Sequence, residues 1–532
     1  MKNSIQAVFI FLLNFLLLAC SHNPTVQKKD FVPKKIKLEQ ISRITNGGFE
    51  SNSAEFIAYD NAKKRLYVVN NTVVGVDIFD ISQPESPRKI HTIGMLNFGS
   101  RVTSIAVKDP YIAITSQSLN PLEKGKIVIF DSKEWRQRTV FDVGVDPKMA
   151  VFHPSEDWIL VSNEGPPNDD YSKDPEGTLS LVDYSNGIIN SVLTTLRFKN
   201  FETMKSALLA QGLHLSSEDV KLEKDLEPDY IALHPTQPIA WVTLQESNAI
   251  AVVDLYRQDI VDIYPLGYKD YQISNNTLDA SDKDGGINFK GWPVLGLLQP
   301  SGVASVKILD QVYWLTANEG KARDYKNYQE SVRVNQIELE AGFDEFSKTI
   351  KNDDELGRLH VSAIRGDKND DSIYEKLYSF GGRSFSIFNE LGIRIWDSGN
   401  DFETKTAEFL GNAFNNDSRQ NTPDGRSDDQ GPAPKSIVVA ELENQFFAFI
   451  TLEQVGGIMS YNITNPFAPT FIDYINTRDF SLVPQQVGAA AGDLGPKHMI
   501  FLSGKEAPNQ QPILVVANNV SGTITLYKIK VI

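Results

Sequence analysis

Residues 230–255 carry the pattern that decides the fold, and they read YIALHPTQPIAWVTLQESNAIAVVDL. Two short runs rich in β-branched and aromatic residues flank a proline turn, and a third run follows a polar link and ends near Asp254. Such runs, bounded by turn residues, are typical of β-strands. The stretch therefore predicts three consecutive antiparallel strands, with a polar cluster at residues 245–248 between the second and the third.

The same unit recurs along the chain. Residues 55–82 read EFIAYDNAKKRLYVVNNTVVGVDIFDIS, and another copy begins with MAVFHPSEDWILVSNEG. Seven starts can be counted, near Glu55, Thr103, Met149, Tyr230, Gly302, Ser436 and His498. A repeated unit of three or four strands that cannot bury itself alone predicts a β-propeller. We therefore expect an all-β fold, a seven-bladed β-propeller.

The number of blades depends on the interpretation of residues 383–399, which read RSFSIFNELGIRIWDSG. We interpret them as the third and fourth strands of the unit that begins at Gly302. If they began a unit of their own, the propeller would have eight blades. The last unit lacks a clear fourth strand, and residues 36–44 belong to no unit. Pairing of these N- and C-terminal strands would close the ring and leave no open edge.

Four long insertions separate the repeats, at residues 186–226, 265–300, 321–382 and 401–434. They are rich in Asn, Asp, Gly and Ser. Long loops in a compact domain are usually functional or disordered. Short helices are expected at residues 201–211 and 344–350. The sequence thus predicts a propeller with long insertion loops, forming a single domain over residues 36–532.

The N-terminus predicts export and lipid attachment. The apolar run at residues 5–18 is too short to span a bilayer comfortably and fits the core of a signal peptide. It ends in the sequence LLAC, which resembles a lipobox, and Cys20 is the only cysteine of the chain. We therefore expect a signal peptide over residues 1–19 and lipidation of Cys20.

Further features indicate that the mature chain belongs to the cell envelope. Residues 20–35 carry Pro, Lys, Asn and Gln and predict a tether after the lipidated cysteine. Ser21 favours the outer membrane as the destination. The formal net charge of −16 argues against nucleic acid and anionic lipid surfaces as partners. Contact with the membrane is thus expected through the lipid anchor only.

Polar residues predict a binding site at one mouth of the propeller channel. Because strands in a blade run antiparallel, the segment before the inner strand and the link after the second strand open on the same face. Oxygen-rich rings suit hard cations or polyhydroxylated ligands. Polar residues at these turns also cap strands, so a purely structural role stays open. The candidates are Asn163, Glu164, Glu227, Asp229, Glu246, Asn248, Asn318, Glu319, Arg323, Arg383, Glu453 and Asn518.

A second candidate site resembles a fragment of a calcium loop. Asp279, Asp282 and Asp284 precede two glycines, and alternating carboxylates with a glycine turn can surround a Ca²⁺ ion. The glutamate of a complete EF-hand loop is missing, because Phe289 or Lys290 stands nearby instead. Ca²⁺ is the one cofactor that the sequence suggests, and a solvated Asx-rich turn is the alternative.

No recognisable catalytic set accompanies these sites. The HExxH, GxSxG, P-loop and paired-cysteine metal motifs are absent from the sequence. Without a nucleophile–base pair the catalytic residues stay unknown, and a binding or scaffold module for a polar ligand or envelope protein is favoured. The alternative is a metal-dependent, calcium-type phosphoesterase that uses carboxylates such as Glu164, Asp229, Glu246 and Glu319. A lactonase-like or lyase propeller is also open.

Several motifs are specific to one known family. They include GGFESNSAEFIAYD from Gly47, SNEGPPNDDYSKDPEGTLSLVD from Ser162 and DGRSDDQGPAP from Asp424. In these the chain resembles the choice-of-anchor I domain family, from about Gly47 to the C-terminus, and WVTLQESNAIAVVDL resembles YVTN-type propeller repeats. The resemblance implies a propeller held at the envelope by one of several anchors, with no settled activity. Some members are labelled alkaline-phosphatase-like.

The resemblance also implies an acidic residue after the proline that begins several inner strands. Asp229 keeps this pattern. Lys148, Lys435 and Lys497 stand in place of the acid, and Ser301 does so at a fourth position. If those acids form a cation site in the family, this chain has lost part of it.

Overall fold

The strands form where β-branched and aromatic residues can be buried on both faces of a sheet. The structure is a computed structural model that describes residues 33–532. In the strand Arg65–Asn70, residues 66–69 have no exposed surface. The strand Ile239–Leu244 is likewise buried from Ala240 onward. Continuous apolar runs of this length are typical of central strands that are covered on both faces.

The described residues contain seven four-stranded antiparallel sheets, which we number in chain order and write from the inner to the outer strand. Sheet 1 contains Ile57–Asp60, Arg65–Asn70, Gly75–Asp80 and Arg88–Gly94. Sheet 2 contains Arg101–Lys108, Tyr111–Gln117, Lys124–Asp131 and Gln137–Val145. Sheet 3 contains Pro147–Phe152, Trp158–Asn163, Thr178–Asp183 and Val192–Arg197. Sheet 4 contains Pro228–Leu233, Ile239–Leu244, Ala249–Asp254 and Asp259–Pro265.

The remaining three sheets follow the same plan. Sheet 5 contains Val303–Ile308, Gln311–Asn318, Ser384–Asn389 and Arg394–Asp397, so residues 383–399 supply its two outer strands. Sheet 6 contains Pro434–Leu442, Gln445–Leu452, Ile458–Asn462 and Thr470–Ile475. Sheet 7 contains Pro496–Leu502, Ile513–Asn518, Thr523–Val531 and Ile36–Thr45.

The seven inner strands form a closed ring around one axis. Each inner strand contacts the inner strands of the two neighbouring sheets, and that of sheet 7 contacts that of sheet 1. The hydrophobic core lies between neighbouring sheets. For example, Trp241 of sheet 4 and Trp314 of sheet 5 are fully buried, with ring centroids 6.4 Å apart. The all-β propeller class predicted from the sequence is confirmed.

Sheet 7 joins the two ends of the described chain. Ile36–Thr45 pairs antiparallel with Thr523–Val531, and the register slips once, between Gln40 and Ser42. The predicted closure of the ring by N- and C-terminal strands is therefore confirmed. The expected signal peptide, the lipidated Cys20 and most of the expected tether lie outside the described residues.

Two of the long insertions fold together. Residues 265–300 and 321–382 supply a five-stranded sheet with the order Tyr268–Asp270, Val294–Leu297, Leu377–Phe380, His360–Ser362, Ser331–Arg333. This insertion sheet has its own hydrophobic core, which includes Trp292, Val361 and Leu377. Two small two-stranded sheets accompany it, Asp324–Tyr325 with Tyr328–Gln329 and Glu338–Leu339 with Ile373–Tyr374. The insertions therefore bury apolar surface of their own.

Helices occur only between the strands. The helix expected at residues 201–211 is a 3₁₀ turn, Lys199–Met204, followed by the α-helix Lys205–Ala210. The other expected helix is Gly342–Phe346, and the sequence pattern did not indicate Asp401–Leu410. The remaining short helices are Ile188–Asn190, Leu222–Asp225, Ser274–Asn276, Val334–Gln336, Gly411–Ala413, Pro484–Val487 and Gly488–Ala491. None of the helices between residues 33 and 532 has the length and hydropathy needed to cross a bilayer.

Asparagines at the ends of second strands bind the neighbouring third strand. The Nδ2 of Asn70 donates to Asp77 at 2.7 Å, and that of Asn318 donates to Ser386 Oγ at 2.8 Å. Two further bonds of this kind join Asn163 to Ser180 at 3.1 Å and Asn518 to Thr525 at 3.4 Å. All four asparagines are buried. These bonds therefore satisfy amide groups whose burial would otherwise be costly.

The closing strand yields a stability prediction. Leu38 is 5% exposed and belongs to a hydrophobic cluster with Leu514 and Tyr527. Replacing Leu38 with alanine is expected to lower the free energy of unfolding by about 2–5 kcal/mol, because it leaves a cavity in this cluster. Chemical denaturation of the purified protein measures the loss. Lys37→Ala, on the exposed face of the same strand, is the matched control; equal losses in both variants would contradict the prediction.

Candidate functional site

A small polar pocket lies at one mouth of the ring, and we call it the mouth pocket. Its volume is about 270 Å³, and each of the seven sheets contributes to its wall through its inner strand or through a segment next to its inner or second strand. The acidic residues of the wall are Glu55, Glu164, Asp229 and Glu319. The cationic residues are Arg101, Lys148, Lys321, Lys435 and Lys497. The pocket thus brings together charges of both signs from distant parts of the sequence.

A shared backbone feature turns side chains towards the mouth pocket. The inner strands of sheets 3, 4, 6 and 7 begin with proline, and the register of their pairing slips directly after it. Such bulges re-aim a side chain. The residues after these prolines are Lys148, Asp229, Lys435 and Lys497, and all four line the pocket. The position after the proline is therefore a pocket position in these four sheets, occupied by lysine in three of them and by aspartate in one.

Lysines and carboxylates in the pocket neutralise each other. Lys148 Nζ lies 3.0 Å from Asp146 and 2.5 Å from Glu164. The other pairs join Lys435 to Glu319 at 2.7 Å and to Glu453 at 3.7 Å, Lys497 to Glu55 at 3.2 Å, and Lys321 to Glu246 and Glu164. Removing one partner of a buried pair would leave an uncompensated charge, so the loss of a carboxylate or of a lysine at the mouth is expected to be costly.

The carboxyl groups of the mouth fall into two electrostatic classes. Burial raises the pKa of Glu319 to about 7 and that of Asp229 to about 6. Burial also disfavours the ionised forms of Glu164 and Glu453, but neighbouring lysines outweigh it and lower each pKa to about 2. The mouth therefore holds fixed negative charges at Glu164 and Glu453 and protonatable groups at Glu319 and Asp229.

Three glutamates form a buried cluster that shares Glu164 with the mouth pocket. One carboxylate oxygen from each of Glu164, Glu227 and Glu246 lies within 4.8 Å of the others. Glu227 is 2% exposed, and neither of its carboxylate oxygens has a hydrogen-bond partner among the described residues. Burial, and then the negative charge of Glu246, raise the pKa of Glu227 well above its usual range. Glu227 and Glu246 lie outside the pocket wall but adjoin it through Glu164.

Four of the predicted binding residues are asparagines that hold the backbone together. Asn163, Asn318 and Asn518 make the bonds between strands described above. Asn248 donates to the carbonyl of Gly267 at 2.9 Å and accepts from the amide of Gln299 at 2.9 Å. None of the four lines the mouth pocket. The structural role that the sequence left open accounts for all their contacts.

The two predicted arginines are buried in ion pairs and do not line the pocket. Arg323 Nη2 lies 3.1 Å from Asp225. Arg383 Nη1 lies 2.7 Å from Glu403, and its Nη2 donates to the carbonyls of Ser427 and Asp429 at 2.7 and 2.6 Å. Nη1 and Nη2 of Arg383 are thus both bonded to protein oxygens, whereas Nε and Nη1 of Arg323 have no hydrogen-bond partner among the described residues.

The acidic loop forms a cluster with a different third member. Oxygens of Asp279, Asp284 and Asp424 lie within 4.8 Å of one another. Asp282, the predicted third residue, pairs instead with Arg358 at 2.8 Å. Burial raises the pKa of Asp279 to about 8 and that of Asp424 to about 6. Asp424 belongs to another insertion, so no local spacing could have indicated it.

An aromatic stack forms the floor of the mouth pocket. The ring of Phe56 lies 4.1 Å from that of His498 and 5.7 Å from that of Tyr230, measured between centroids. Phe56 and Tyr230 line both the mouth pocket and a second cavity of about 520 Å³, whose walls are the apolar inner strands of all seven sheets. Burial lowers the pKa of His498 to about 3, so its ring is neutral. The stack separates a polar mouth from an apolar channel.

Sequence reasoning missed several residues of the wall. Glu55 and Arg101 lie at or next to the start of the inner strands of sheets 1 and 2, where no proline marks the position. Lys321 lies two residues after the predicted binding residue Glu319, but it was not itself predicted. Their position along the repeat was the available signal. Glu55 and Arg101 lie at or next to the starts of inner strands, and Lys321 follows the end of a second strand. Because these strands are antiparallel, both places lie at the same edge of a sheet as the residues after the prolines.

Known proteins share this sequence and architecture to different degrees. The chain is 29% identical to Gigasin-3a of Magallana gigas over 192 residues, which are 34% of this chain and 67% of that protein. Kuenenia stuttgartiensis hydrazine synthase shares 10% identity, with 91% of this chain and 97% of that chain covered and a TM-score of 0.46. Sqt1 of Saccharomyces cerevisiae shares 8% identity, with 94% and 99% covered and a TM-score of 0.41.

The family relationship rests on a longer match. The Choice-of-anchor I domain profile matches residues 55–466, which extend from the segment before sheet 1 into sheet 6. This range holds most of the chain and most of the mouth pocket. The protein therefore belongs to the choice-of-anchor I domain family.

Proposed function

We propose that this chain is a cell-envelope lipoprotein whose propeller is a binding module for a small polar ligand, or for a polar end of an envelope protein. The observation that carries the proposal is the convergence of charged side chains from all seven sheets on one pocket of about 270 Å³. Membership of the choice-of-anchor I family fits an exported or cell-surface protein. The pocket is small, so it suits one polar group and not an extended chain.

Two buried polar atoms in the pocket wall support ligand binding. Arg101 Nε and the hydroxyl of Tyr230 have no hydrogen-bond partner among the described residues. Buried polar groups are nearly always hydrogen-bonded, so a ligand with oxygen or nitrogen atoms would satisfy them. The neighbouring side chains are already fixed; for example, Gln245 Nε2 donates to Glu319 at 2.8 Å. A preorganised wall lowers the entropy cost of binding.

The anchor forms the second part of the proposal. The sequence LLAC at residues 17–20 supports lipidation of Cys20, and Ser21 supports the outer membrane as the destination. The phosphoesterase alternative stays a hypothesis, because neither the family match nor the contacts of the mouth carboxylates favour turnover over binding.

Arg101 provides a test of ligand binding. A panel of small carboxylates, phosphate, amino acids and monosaccharides is screened against the protein by thermal shift, and the best compound is then titrated. We expect Arg101→Gln to weaken its binding by roughly 10-fold or more, because a hydrogen bond to a charged group contributes about 1.5–3 kcal/mol. Arg138→Gln, on the exposed outer strand of the same sheet, is the matched control.

Two outcomes would contradict this proposal. One is that no compound shifts the melting temperature; the other is that Arg101→Gln binds as tightly as Arg138→Gln. Hydrolysis of p-nitrophenyl phosphate is measured in parallel, with and without CaCl₂. Calcium-dependent turnover that is lost in Glu319→Gln would support the hydrolase instead.

Glu319 gives the mouth a defined pH dependence. Burial raises the pKa of Glu319 from 4.5 to about 7. The protonated form of Glu319 is therefore favoured in the folded state, and this contribution to the free energy of unfolding is lost as the pH rises through that range. The replacement in Glu319→Gln does not titrate, so this variant does not lose that contribution. The melting temperature of the variant minus that of the wild type should therefore rise between about pH 5 and about pH 8. Glu164→Gln is the control. The pKa of Glu164 is lowered to about 2, so Glu164 stays ionised over the same range, and the difference in melting temperature between this variant and the wild type should stay constant. Parallel curves for the two variants would contradict the assignment.

Replacement of Cys20 tests the anchor. Cys20→Ala is expected to leave the membrane fraction or to remain unprocessed, because the acyl chains that hold the protein in the bilayer are no longer attached. Cell fractionation and labelling with a palmitate analogue measure both effects, and Ser21→Ala serves as the control that keeps the cysteine. Unchanged fractionation of Cys20→Ala together with an unlabelled wild type would refute lipidation.

A further inference from the structure

We infer that Glu164, Glu227 and Glu246 form a binding site for a hard divalent cation of the calcium class, between sheets 3 and 4. This inference does not rest on the proposed function, since it concerns the buried glutamates and not the ligand of the mouth pocket. Carboxylate oxygens are the ligands that such cations prefer.

The backbone holds the three carboxylates together independently of any ion. Glu164 directly follows the second strand of sheet 3, and its amide donates to the carbonyl of Asp146 at 3.1 Å. Glu227 directly precedes the inner strand of sheet 4, and Glu246 lies in the turn after its second strand. Gly177 lies between the segment of Glu164 and the segment of Glu227. A side chain at this position would collide with the carbonyl of Leu226 and crowd that of Glu164, so the close approach of the two segments requires glycine. The cluster is therefore built into the junction of two sheets.

Glu227 is the observation that points to a ligand. It is 2% exposed, and both of its carboxylate oxygens lack a hydrogen-bond partner among the described residues. A buried carboxylate is costly unless it is paired or coordinates a metal. Glu164 and Glu246 each place a carboxylate oxygen within 4.8 Å of an oxygen of Glu227, so a cation shared by the three would give Glu227 its missing partner.

A side chain already provides positive charge to part of the cluster. The ammonium group of Lys321 pairs with Glu246 and lies 3.5 Å from Glu164. The Lys321 side chain is 47% exposed, and its flexible stem allows it to turn towards solvent when a cation enters. Lys148 also pairs with Glu164 at 2.5 Å and with Asp146 at 3.0 Å, so it neutralises Glu164 in part, whereas Arg323 pairs with Asp225.

The donor set defines the class of ion. The cluster offers oxygen atoms only, with no thiolate or imidazole, which disfavours zinc and copper. Three carboxylates supply up to six oxygens, and a Ca²⁺ ion takes six to eight at flexible geometry. Glu164 also lines the mouth pocket, so an ion can reach the cluster from the mouth and complete its shell with water.

The acidic cluster of Asp279, Asp284 and Asp424 serves as an internal comparison. There Asp279 accepts from the amide of Asn288 at 2.8 Å, and Asp424 accepts from Ser427 Oγ at 2.5 Å. The chain therefore already supplies partners to these carboxylates, in contrast to Glu227.

Calcium titration of the whole protein tests the site. The protein is purified in detergent, stripped of metal with a chelating resin, and titrated with CaCl₂ by isothermal calorimetry, with MgCl₂ and MnCl₂ in parallel. We expect the wild type to bind Ca²⁺ and Glu227→Gln to bind at least ~10-fold more weakly, because affinity follows the number of charged ligands. Asp284→Asn and Glu134→Gln, the latter at an exposed turn residue of sheet 2, remove carboxylates outside the cluster and should bind as the wild type does.

Lys321→Met gives a result of opposite sign, so a folding defect in one variant cannot mimic the outcome. We expect it to bind Ca²⁺ roughly 10-fold more tightly, because the ion no longer displaces an ammonium group from two carboxylates. No uptake of any of the three metals by the wild type would overturn the inference. Binding that is lost in Asp284→Asn and kept in Glu227→Gln would overturn it as well. Arg101→Gln should keep Ca²⁺ binding, which separates this result from failure of the proposed ligand site.

Discussion

The pairing of Ile36–Thr45 with Thr523–Val531 is the constraint on which the rest of the structure depends. A four-stranded sheet exposes apolar surface on two faces, and each sheet of the ring covers one face of each neighbour. Only a closed ring leaves no sheet uncovered. Closure also sets the circumference of the inner strands and therefore the distances between side chains at the mouth. Residues as far apart along the chain as Glu55 and Lys497 meet there because the ends of the chain are joined.

The charged mouth follows from that geometry. Seven strands begin at one rim, and any charged residue placed there is close to several others. A rim of carboxylates alone would resist ionisation, since like charges at short range raise the pKa of one another. In this chain Lys148, Lys435 and Lys497 follow the prolines that begin three inner strands, and their ion pairs neutralise most of the rim. Acidic excess remains mainly between sheets 3 and 4, at Glu227 and its neighbours.

The sequence predicts the repeating strands and the closure well, because both depend on local hydrophobic patterns and on repetition. It predicts the site only in part. Glu164 and Glu319 were recognised from their place after a strand, but the same rule selected Asn163 and Asn318, whose amides bond inside the sheets. Side-chain direction at a strand end depends on the partner strand, which a single sequence does not show. The contact of Asp424 with Asp279 and the core of the insertion sheet depend on long-range packing and left no local signal.

The stack of Phe56, His498 and Tyr230 lies where the polar mouth pocket meets the apolar cavity of the inner strands. The two cavities that meet at these rings differ in chemistry, because charged side chains line the mouth pocket and mostly aliphatic side chains line the other cavity. Gln430 and Lys321, which line the mouth pocket, belong to insertions between strands and not to the seven sheets. Changes in these insertions would therefore alter the wall of the mouth pocket and leave the inner strands and the aromatic stack unchanged.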